Sequence, residues 1–388
     1  MRFGLEPMRA ACAHAGHPER RLAAVHVAGT NGKGSVSAMV ERAARAQGLR
    51  TGLYTSPHLG RFTERIRVDG EPIADEALDG HLERAHELGP ELSFFETATL
   101  AAFLALADAN VDLAVLEVGL GGRLDATNVI ETARACAVTR IALDHTALLG
   151  STLEEIAREK AAIAKPGVDL VVGPATPTVR AAIEDEARSR GGRVVHVEDD
   201  AECVAFFSHP RKLGLAGAYQ RDNAMVAFAL ARRAGIATEH VATGLAEVRW
   251  PGRLERLETA RGPLLLYAAH NPDGAQALAT YLASEDPART VLLFGALADK
   301  AWTEMLDALA PRAATRVYVA PKGRAATPPE DLAARHVGDV AASVLDGYER
   351  AVRLAGPDGL VVACGSIFLV GEVRAHVLGT KRDPPIAL

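Results

Sequence analysis

The chain alternates between short apolar runs of strand length and longer segments with apolar positions at helical spacing. In the first part, the apolar runs are Leu22–Ala28, Leu113–Val118, Ala135–Ile141 and Leu170–Val172. The helical segments between and after them include Ser35–Ala46, Glu96–Ala107 and Leu153–Ala164. Continuous apolar strands joined by helices are typical of a parallel sheet covered on both faces, so the pattern predicts an α/β fold.

The same alternation resumes in the last third of the chain. Strands are predicted at Leu264–Ala268, Val291–Phe294, Arg316–Val319 and Leu360–Cys364, with helices near Asp273–Leu282, Glu304–Leu309 and Val344–Leu354. Between the two parts, a Pro-Gly pair at 251–252 precedes a charged stretch, Arg253–Arg261. The sequence therefore predicts two α/β domains: a parallel-sheet domain at 1–257 that carries a phosphate loop, and a smaller Rossmann-like domain at 258–388. Two such domains usually hold substrates in the cleft between them.

Composition narrows the class of protein. Of 388 residues, 48% are hydrophobic and 24% charged, which supports folded cores rather than disorder. The net charge of -6 argues against a general nucleic-acid binder. The most apolar stretch, 97–107, is about half the roughly 20 residues needed to span a bilayer. The four cysteines are scattered, without a CxxC pair, which favours a reducing compartment. We therefore expect a cytoplasmic protein with no membrane or nucleic-acid partner.

The strongest local signal is the run HVAGTNGKGS at 26–35, between a predicted strand and a predicted helix. Glycines allow a tight turn whose N–H groups point at phosphate oxygens, and the helix N-terminus and Lys33 add positive charge. Ser35 offers a hydroxyl to phosphate or magnesium. The spacing departs from GxxxxGK[ST], and a ligand-free tight turn is the structural alternative. The predicted phosphate contacts are Gly29, Thr30, Asn31, Gly32, Lys33, Gly34 and Ser35.

The variant GTNGKGS resembles the P-loop of the Mur ligases, and the whole chain resembles their folylpolyglutamate synthase/dihydrofolate synthase family. The supporting blocks are YTSPHL at 54–59, FTERI at 62–66, FETAT at 95–99, LEVGLGGRLDATN at 116–128, LDHT at 143–146, AHNP at 269–272, FGALADK at 294–300 and GSIFLVGE at 365–372. The resemblance implies ligation of L-glutamate to the carboxylate of dihydropteroate and/or (tetrahydro)folyl-(poly)glutamate. ATP would activate that carboxylate as an acyl phosphate, with release of ADP and phosphate. It also implies Mg²⁺ as a cofactor and a monomeric enzyme.

Four residues are candidate magnesium ligands. Glu96 is predicted from its position at the mouth of an apolar helix, where an unpaired carboxylate is costly; the alternative is a charge that interacts with the helix dipole. Ser56 and His145 are ligands by resemblance, and would otherwise be an ordinary turn serine and loop histidine. Lys160 would otherwise be a solvated helical lysine. The resemblance implies that it carries a carbamate formed with carbon dioxide (N6-carboxylysine), which requires a neutral amine.

The resemblance also assigns nucleotide and substrate contacts. Asn223 would contact adenine and Arg253 the phosphates. Tyr267, which stands where the family has an Asp three residues ahead of His270, is also a predicted ATP contact. His270 and Ser366 would face the incoming glutamate, and together with Lys33 and Lys160 they are the predicted catalytic residues. The predicted substrate contacts are Gly4 and Leu5 in the pteroate-binding wall, His58, and Phe103, which has a core position as its alternative.

Three other functions remain open at this stage. A Mur-type ligase acting on a UDP-sugar peptide would need an N-terminal domain ahead of the P-loop. A P-loop kinase or GTPase-like switch would not need the second α/β domain. A dinucleotide-binding oxidoreductase would use Gly119–Gly122 as its fingerprint, although the third glycine is missing. Within the resembling family, the sequence does not decide between first addition to dihydropteroate and chain extension on folates.

Overall fold

Two sheets of buried apolar strands organise the chain. In the computed structural model, which describes residues 4–384, the first unit comprises residues up to His58, Thr63–Gly214 and Gln220–Arg249. The second unit comprises Leu59–Phe62, Leu215–Tyr219 and the chain from Trp250 onward. The main body of the second unit therefore begins before position 258, and the unit includes two short segments from earlier in the chain.

The first unit is an eight-stranded sheet with helices. Its strands are β1 Ala24–Ala28, β2 Thr51–Tyr54, β3 Ile66–Val68, β4 Glu71–Pro72, β5 Leu113–Glu117, β6 Ala135–Val138, β7 Asp169–Val172 and β8 Arg193–His196. Its helices are α1 Glu6–His14, α2 Lys33–Ala46, α3 Asp75–Leu88, α4 Phe94–Asp108, α5 Thr146–Leu149, α6 Leu153–Ala161, α7 Pro177–Ser189, α8 Ala201–Phe207, α9 Gln220–Arg233 and α10 Thr238–Glu247.

The strand order of the first sheet brings the candidate motifs to one edge. The order is β4-β3-β2-β5-β1-β6-β7-β8, and every neighbouring pair is parallel except β2–β3 and β3–β4. Strands β1, β5 and β6 are buried along their whole length because helices cover both faces. The loops that follow these three neighbouring strands leave the sheet at its carboxyl edge, where α/β folds bind ligands.

The second unit contains a six-stranded sheet. Its strands are β9 Arg253–Thr259, β10 Gly262–Tyr267, β11 Thr290–Phe294, β12 Thr315–Tyr318, β13 Asp339–Val340 and β14 Leu360–Cys364. Its helices are α11 Pro272–Tyr281, α12 Trp302–Leu309, α13 Pro329–Arg335, α14 Val344–Ala355 and α15 Ile367–Leu378. The order is β13-β12-β11-β14-β10-β9, parallel except for β9, which pairs antiparallel with β10.

The α/β prediction is confirmed, and one local interpretation is corrected. The charged stretch predicted as a boundary segment forms the edge strand β9, whose Leu254 is buried and whose Arg256 and Glu258 face solvent. An edge strand pairs on one side only and tolerates charged side chains, which is why its sequence resembles a linker. Among the helices of residues 4–384, none is long and apolar enough to cross a bilayer.

Candidate functional site

The glycine-rich turn has the predicted strand–turn–helix context, with α2 beginning at Lys33. Gly29 has a φ of +147° and Gly32 a φ of +95°, which are conformations that favour glycine. A Cβ on Gly29 would lie 1.8 Å from Thr139 Oγ1, and one on Gly32 would lie 2.2 Å from Asn223 Oδ1. Backbone conformation and close neighbours therefore both require glycine at these two positions.

The Lys33 side chain folds back over the turn. Its Nζ lies 3.0 Å from the carbonyl oxygen of Gly29 and 3.2 Å from that of Thr30. Lys33 is also the first residue of α2, so its ammonium group lies at the positive end of the helix, beside the N–H groups of the first turn. The turn thus combines a full charge, a helix dipole and backbone donors, which is the chemistry that binds phosphate.

Hydrogen bonds to the segment after β6 fix the turn. Thr30 N donates to the Arg140 carbonyl at 2.9 Å, and Thr30 Oγ1 donates to the Ala142 carbonyl at 3.1 Å. Thr139 Oγ1 donates to the Asn31 carbonyl at 2.7 Å. The donors of the turn are therefore held in place by the protein itself, which lowers the entropic cost of binding an anion.

The start of α9 lies against the same turn. Gln220 Nε2 donates to Ser35 Oγ at 3.3 Å, and Asn223 Nδ2 donates to Gln220 Oε1 at 2.9 Å. All three residues are buried. Because buried amides hold their orientation through such bonds, Gln220 and Asn223 form a fixed wall beside Gly32.

A buried carboxylate ends the strand next to β1. Glu117 is the last residue of β5, aligns with Val27 of β1 and is 5% exposed. Its Oε2 accepts from Ser56 N at 3.3 Å. A carboxylate beside a hydroxyl-bearing residue is the oxygen-rich environment that Mg²⁺ prefers. The sequence analysis selected Ser56 but not Glu117.

Glu96, the predicted acidic metal ligand, has a different role in the structure. Ser93 N and Ser93 Oγ donate to Glu96 Oε2 at 2.8 and 2.6 Å, and Glu96 N lies 3.4 Å from Ser93 Oγ. This reciprocal pair is a capping box at the start of α4. The cap satisfies the carboxylate, so Glu96 takes the alternative role of a charge at the helix N-terminus, and Glu117 is the acidic side chain that lies beside Ser56.

Lys160 is not a solvated helical lysine, because it is only 4% exposed. Burial, reinforced by the charge of Lys33, lowers its pKa to about 7, while Asp144, Asp125 and Glu159 act in the opposite direction. The amine is therefore largely neutral above pH 7. That is the property that carbamate formation requires.

His145 follows β6 and has a φ of +51°. Its backbone N–H donates to Asp144 Oδ1 at 2.9 Å, and its Nε2 lies 3.8 Å from the same oxygen. The imidazole is partly exposed, whereas the Asp144 side chain is largely buried. The structure thus pairs His145, a predicted magnesium ligand, with a carboxylate at the carboxyl edge of the sheet.

The Gly119–Gly122 loop does not present free donors to a dinucleotide. Asp125 Oδ2 accepts from the N–H groups of Gly119 and Leu120, both at 2.9 Å. Asp125 Oδ1 accepts from Thr127, whose Oγ1 lies 2.8 Å from His26 Nε2 on β1. Burial raises the pKa of Asp125, and these hydrogen bonds oppose the shift. Because the Asp125 side chain already occupies the N–H groups of Gly119 and Leu120, the dinucleotide interpretation loses support.

Of the predicted substrate residues of the first unit, Phe103 is a core residue, whereas Gly4, Leu5 and His58 stay candidates. Gly4 and Leu5 lie at the start of α1, and Leu5 is buried. His58 Nδ1 accepts from Arg65 Nε at 2.9 Å, which orients the imidazole. Phe103 is fully buried in the middle of α4, so its prediction as a substrate contact is corrected to a core position.

In the second unit, the predicted residues lie after two neighbouring strands, β10 and β14. Tyr267 ends β10, and its ring centroid lies 6.1 Å from that of Tyr219. Burial raises the pKa of Tyr267, opposed by Arg253 and Tyr219. His270 Nδ1 lies 3.2 Å from the Ala268 carbonyl.

Ser366 follows β14 and caps α15, where its Oγ accepts from Phe368 N at 3.2 Å. Because Tyr267 and Cys364 are register partners, the turns that carry His270 and Ser366 leave the sheet at the same edge. The structure therefore brings these two predicted glutamate contacts to one end of the second unit.

Within residues 4–384, no three His, Cys, Asp or Glu side chains form a cluster that would hold a metal ion by itself. Mg²⁺ usually takes few protein ligands and completes its shell with phosphates and water. The oxygen donors at Glu117 and Ser56, beside a phosphate-binding turn, fit such an ion.

Comparisons with known proteins agree with this geometry. Residues 27–231 match the Mur ligase middle domain, and residues 252–367 match the Mur ligase glutamate ligase domain. The chain is 33% identical to the folylpolyglutamate synthase of Lacticaseibacillus casei, over 94% of this chain and 92% of the relative. It is 39% identical to a probable bifunctional folylpolyglutamate synthase/dihydropteroate synthase of Haloferax volcanii, over 96% of this chain and 48% of the relative. The chain thus spans about half the length of that haloarchaeal protein.

Solved structures match over nearly the full length. E. coli FolC in complex with DHPP and ADP has a TM-score of 0.88 and 30% identity, covering 98% of this chain and 94% of that one. The Yersinia pestis bifunctional folylpolyglutamate synthase/dihydrofolate synthase complexed with AMPPNP and Mn ion has a TM-score of 0.86 and 30% identity, covering 97% and 94%.

Proposed function

Because the chain belongs to the Mur ligase family, in its folylpolyglutamate synthase branch, we propose that it joins L-glutamate to the carboxylate of a pterin acid at the expense of ATP. The observation that carries the proposal is the turn around Lys33. Its charge, helix N-terminus and fixed backbone donors form a site for a triphosphate at the edge of the sheet where Ser56 and Glu117 also lie.

The phosphate turn positions the nucleotide. On binding, Lys33 Nζ exchanges its carbonyl partners for phosphate oxygens, and the N–H groups at the start of α2 point at the same anion. Asn223 and Gln220 line the turn beside Gly32 and limit where the nucleotide can lie. Arg253 of the second unit is the further guanidinium that the resemblance assigns to the phosphates.

Mg²⁺ bound by Glu117 and Ser56 would neutralise phosphate charge as the phosphoryl group moves. The support from this chain is a buried carboxylate whose Oε2 lies 3.3 Å from Ser56 N. His145, beside Asp144, is the candidate for a second ion.

Lys160 would complete this site as an N6-carboxylysine. The ammonium group first loses one proton to solvent, and the neutral Nζ then attacks the carbon of carbon dioxide. An N–C bond forms, one C=O π bond becomes a C–O⁻ and a second proton leaves to solvent, so a cation is converted into a carboxylate. The support is a buried amine whose pKa is about 7. A ¹³C NMR carbamate resonance from ¹³CO₂, present in the wild type and absent in Lys160→Ala, tests this part separately from activity.

In the proposed reaction the protein positions the substrates, and no side chain acts as a covalent nucleophile. A carboxylate oxygen of the pterin acid attacks the γ-phosphorus, ADP leaves and an acyl phosphate forms. The amine of glutamate attacks the acyl carbon, phosphate leaves and the ammonium proton passes to solvent. His270 and Ser366 are the residues that we assign to placing the glutamate, and Gly4, Leu5 and His58 those for the pterin acid.

Dihydropteroate is the acceptor that we favour, with folates as further acceptors. Haloarchaeal relatives that match nearly all of this chain are probable bifunctional proteins with a dihydropteroate synthase. A catalyst of that kind supplies the acid to which the first glutamate is added. We place the reaction in the cytoplasm and on a single copy of the chain.

The decisive experiment measures ADP release from ATP with Mg²⁺, L-glutamate and either dihydropteroate or tetrahydrofolate, each component omitted in turn. We expect ADP only when acid and glutamate are both present. ADP release that does not require glutamate indicates a kinase and refutes the proposal, as does the absence of release with both acids. Lys33→Ala, which removes the ammonium group of the turn, is the matched inactive control.

A further inference from the structure

The loop between β2 and β3 is held at its apex by a segment that follows α15. The loop leaves the first unit at His58, its apex at Leu59–Phe62 belongs to the second unit, and it returns at Thr63. Ser56 and His58, on its first arm, are candidate site residues. Whatever fixes the apex therefore also limits the freedom of these two residues.

The apex is fixed by packing and by backbone approach. Leu59 packs against a core cluster of the second unit that includes Leu369, Val370 and Val373 of α15. A Cβ on Gly371 would lie 2.0 Å from the Leu59 carbonyl oxygen. The loop therefore lies directly on the backbone of α15, and only glycine at 371 allows this approach.

Asp383 holds the apex of the loop through two hydrogen bonds. Asp383 N donates to the Gly60 carbonyl at 3.0 Å, and Asp383 Oδ2 accepts from Phe62 N at 2.7 Å. Its Oδ1 also lies 3.6 Å from Arg61 Nε. One residue thus satisfies a carbonyl and an N–H on either side of Arg61, so the apex cannot shift along α15 without breaking both bonds.

Asp383 is itself held in place. After Gly379 ends α15, Arg382 turns back onto the helix, where its guanidinium lies 3.2 Å from Glu372 Oε2 and 3.1 Å from the Phe368 carbonyl. Both charged side chains of this pair are largely buried. Arg382 therefore presents Asp383 to the loop from a defined position.

We propose that Asp383 is a positioning residue for the proposed ligation, acting by pinning Gly60–Phe62 and thereby holding the arm that carries Ser56 and His58. The proposal rests on the proposed function for its kinetic consequence, but not for its structural one. Asp383→Ala removes the charged acceptor of the Phe62 N–H and keeps the backbone bond to Gly60, so the variant weakens the clamp at one defined point.

The structural test is hydrogen exchange in the full chain without substrates. In Asp383→Ala, we expect the amides of Gly60–Phe62 to exchange roughly tenfold faster than in the wild type, because a charge-assisted bond is removed. Exchange in β5 should not change. Unchanged exchange at the apex overturns the proposal, whether or not the chain has ligase activity.

The kinetic test compares Asp383→Ala with Asp383→Asn, which keeps an acceptor for Phe62 N. We expect kcat/KM for the pterin acid to fall roughly tenfold in the alanine variant and to recover most of that decrease in the asparagine variant. Asp358→Ala, an exposed aspartate in the same unit, is the control and should match the wild type.

A second substitution, Gly371→Ala on α15, disturbs the same loop where it packs on the helix. Gly371→Ala raises the helical propensity of α15 but places a methyl group against Leu59 O, so the same fall in kcat/KM is expected without damage to the helix. If the wild type releases ADP and either Asp383→Ala or Gly371→Ala retains full activity, the positioning role is refuted. A wild type without ADP release refutes the proposed function and leaves the exchange result as the test of the clamp.

Discussion

Replacing Lys160 with Met should change the stability of the fold and the activity of the enzyme in opposite directions. Lys160 holds a buried amine in the last turn of α6, and its pKa is lowered to about 7, chiefly by burial and then by the charge of Lys33. Met has a similar unbranched shape and no charge. We expect Lys160→Met to stabilise the first unit and to abolish ADP release, because the amine is costly to bury and required for the proposed carbamate.

The size of the effect depends on pH. The ordinary pKa of Lys160 is 10.5 and the folded value is about 7, and each unit is worth about 1.4 kcal/mol. At pH 6 both folded and unfolded chains carry the proton, so the folded chain bears the full cost of about 5 kcal/mol. At pH 9 only the unfolded chain is largely protonated, and the cost falls to about 2 kcal/mol. The penalty is thus relieved as pH rises from about 7 toward 10.5.

Thermal unfolding of the wild type and of Lys160→Met, each at pH 6 and at pH 9, measures how this cost depends on pH. The samples should be free of metal, nucleotide and dissolved carbon dioxide, so that no ligand or carbamate changes the charge of Lys160. The gain in Tm from Lys160→Met should be larger at pH 6, by roughly 6 °C for a difference of about 3 kcal/mol in a unit of this size. Lys212→Met, at an exposed position, is the control and should show no such difference.

A gain that is the same at both pH values would refute the reasoning, because the penalty would then not come from a proton on Lys160. A variant that is less stable than the wild type at pH 6 would also refute it. Retained ADP release in Lys160→Met would leave the stability argument intact but exclude the carbamate.

Four further substitutions test the site. Glu117→Gln should abolish magnesium-dependent ADP release. Glu96→Gln should keep it and change the free energy of unfolding by less than about 1 kcal/mol, because a glutamine at this position can also complete the capping box; the opposite ranking would refute the preference for Glu117. Gly32→Ala places a methyl group against Asn223 at a φ of +95°, so ADP affinity measured by calorimetry should fall roughly tenfold or more, and an unchanged affinity would contradict the geometry. Tyr267→Phe removes only a buried hydroxyl, so KM for ATP should change by less than about threefold; a larger change would indicate direct contact with the nucleotide.

Four neighbouring strands of each sheet could be predicted from their apolar runs, namely β5, β1, β6 and β7 in the first sheet and β12, β11, β14 and β10 in the second. The runs that became β1, β5, β6 and β14 are mostly apolar, so hydrophobic pattern alone identified them. Strand β9 was missed because an edge strand exposes one side and half of its pairing groups to water. Its charged residues therefore resemble a linker until β10 is seen beside it.

The site was harder to predict because a glutamate in the sequence does not show by itself whether its carboxylate caps a helix or binds a metal. Glu96 was selected because it precedes an apolar segment, yet Ser93, three residues earlier, is the capping-box signature that explains it. Glu117 did carry a signal, since it is a charged residue inside an otherwise apolar strand. Its proximity to Ser56 depends on the pairing of β2 with β5, which no local pattern reveals.

The second unit includes two short segments from earlier in the chain, which has a practical consequence for dissecting the chain. Leu59 and Tyr219 lie far upstream of Trp250, yet each packs against a core of the second unit. A fragment expressed from Trp250 onward would lack both side chains and leave apolar surface uncovered in water, a condition that promotes aggregation. The second unit is therefore not a self-sufficient contiguous piece, and complementation studies should co-produce the two halves or graft the missing segments onto the second one.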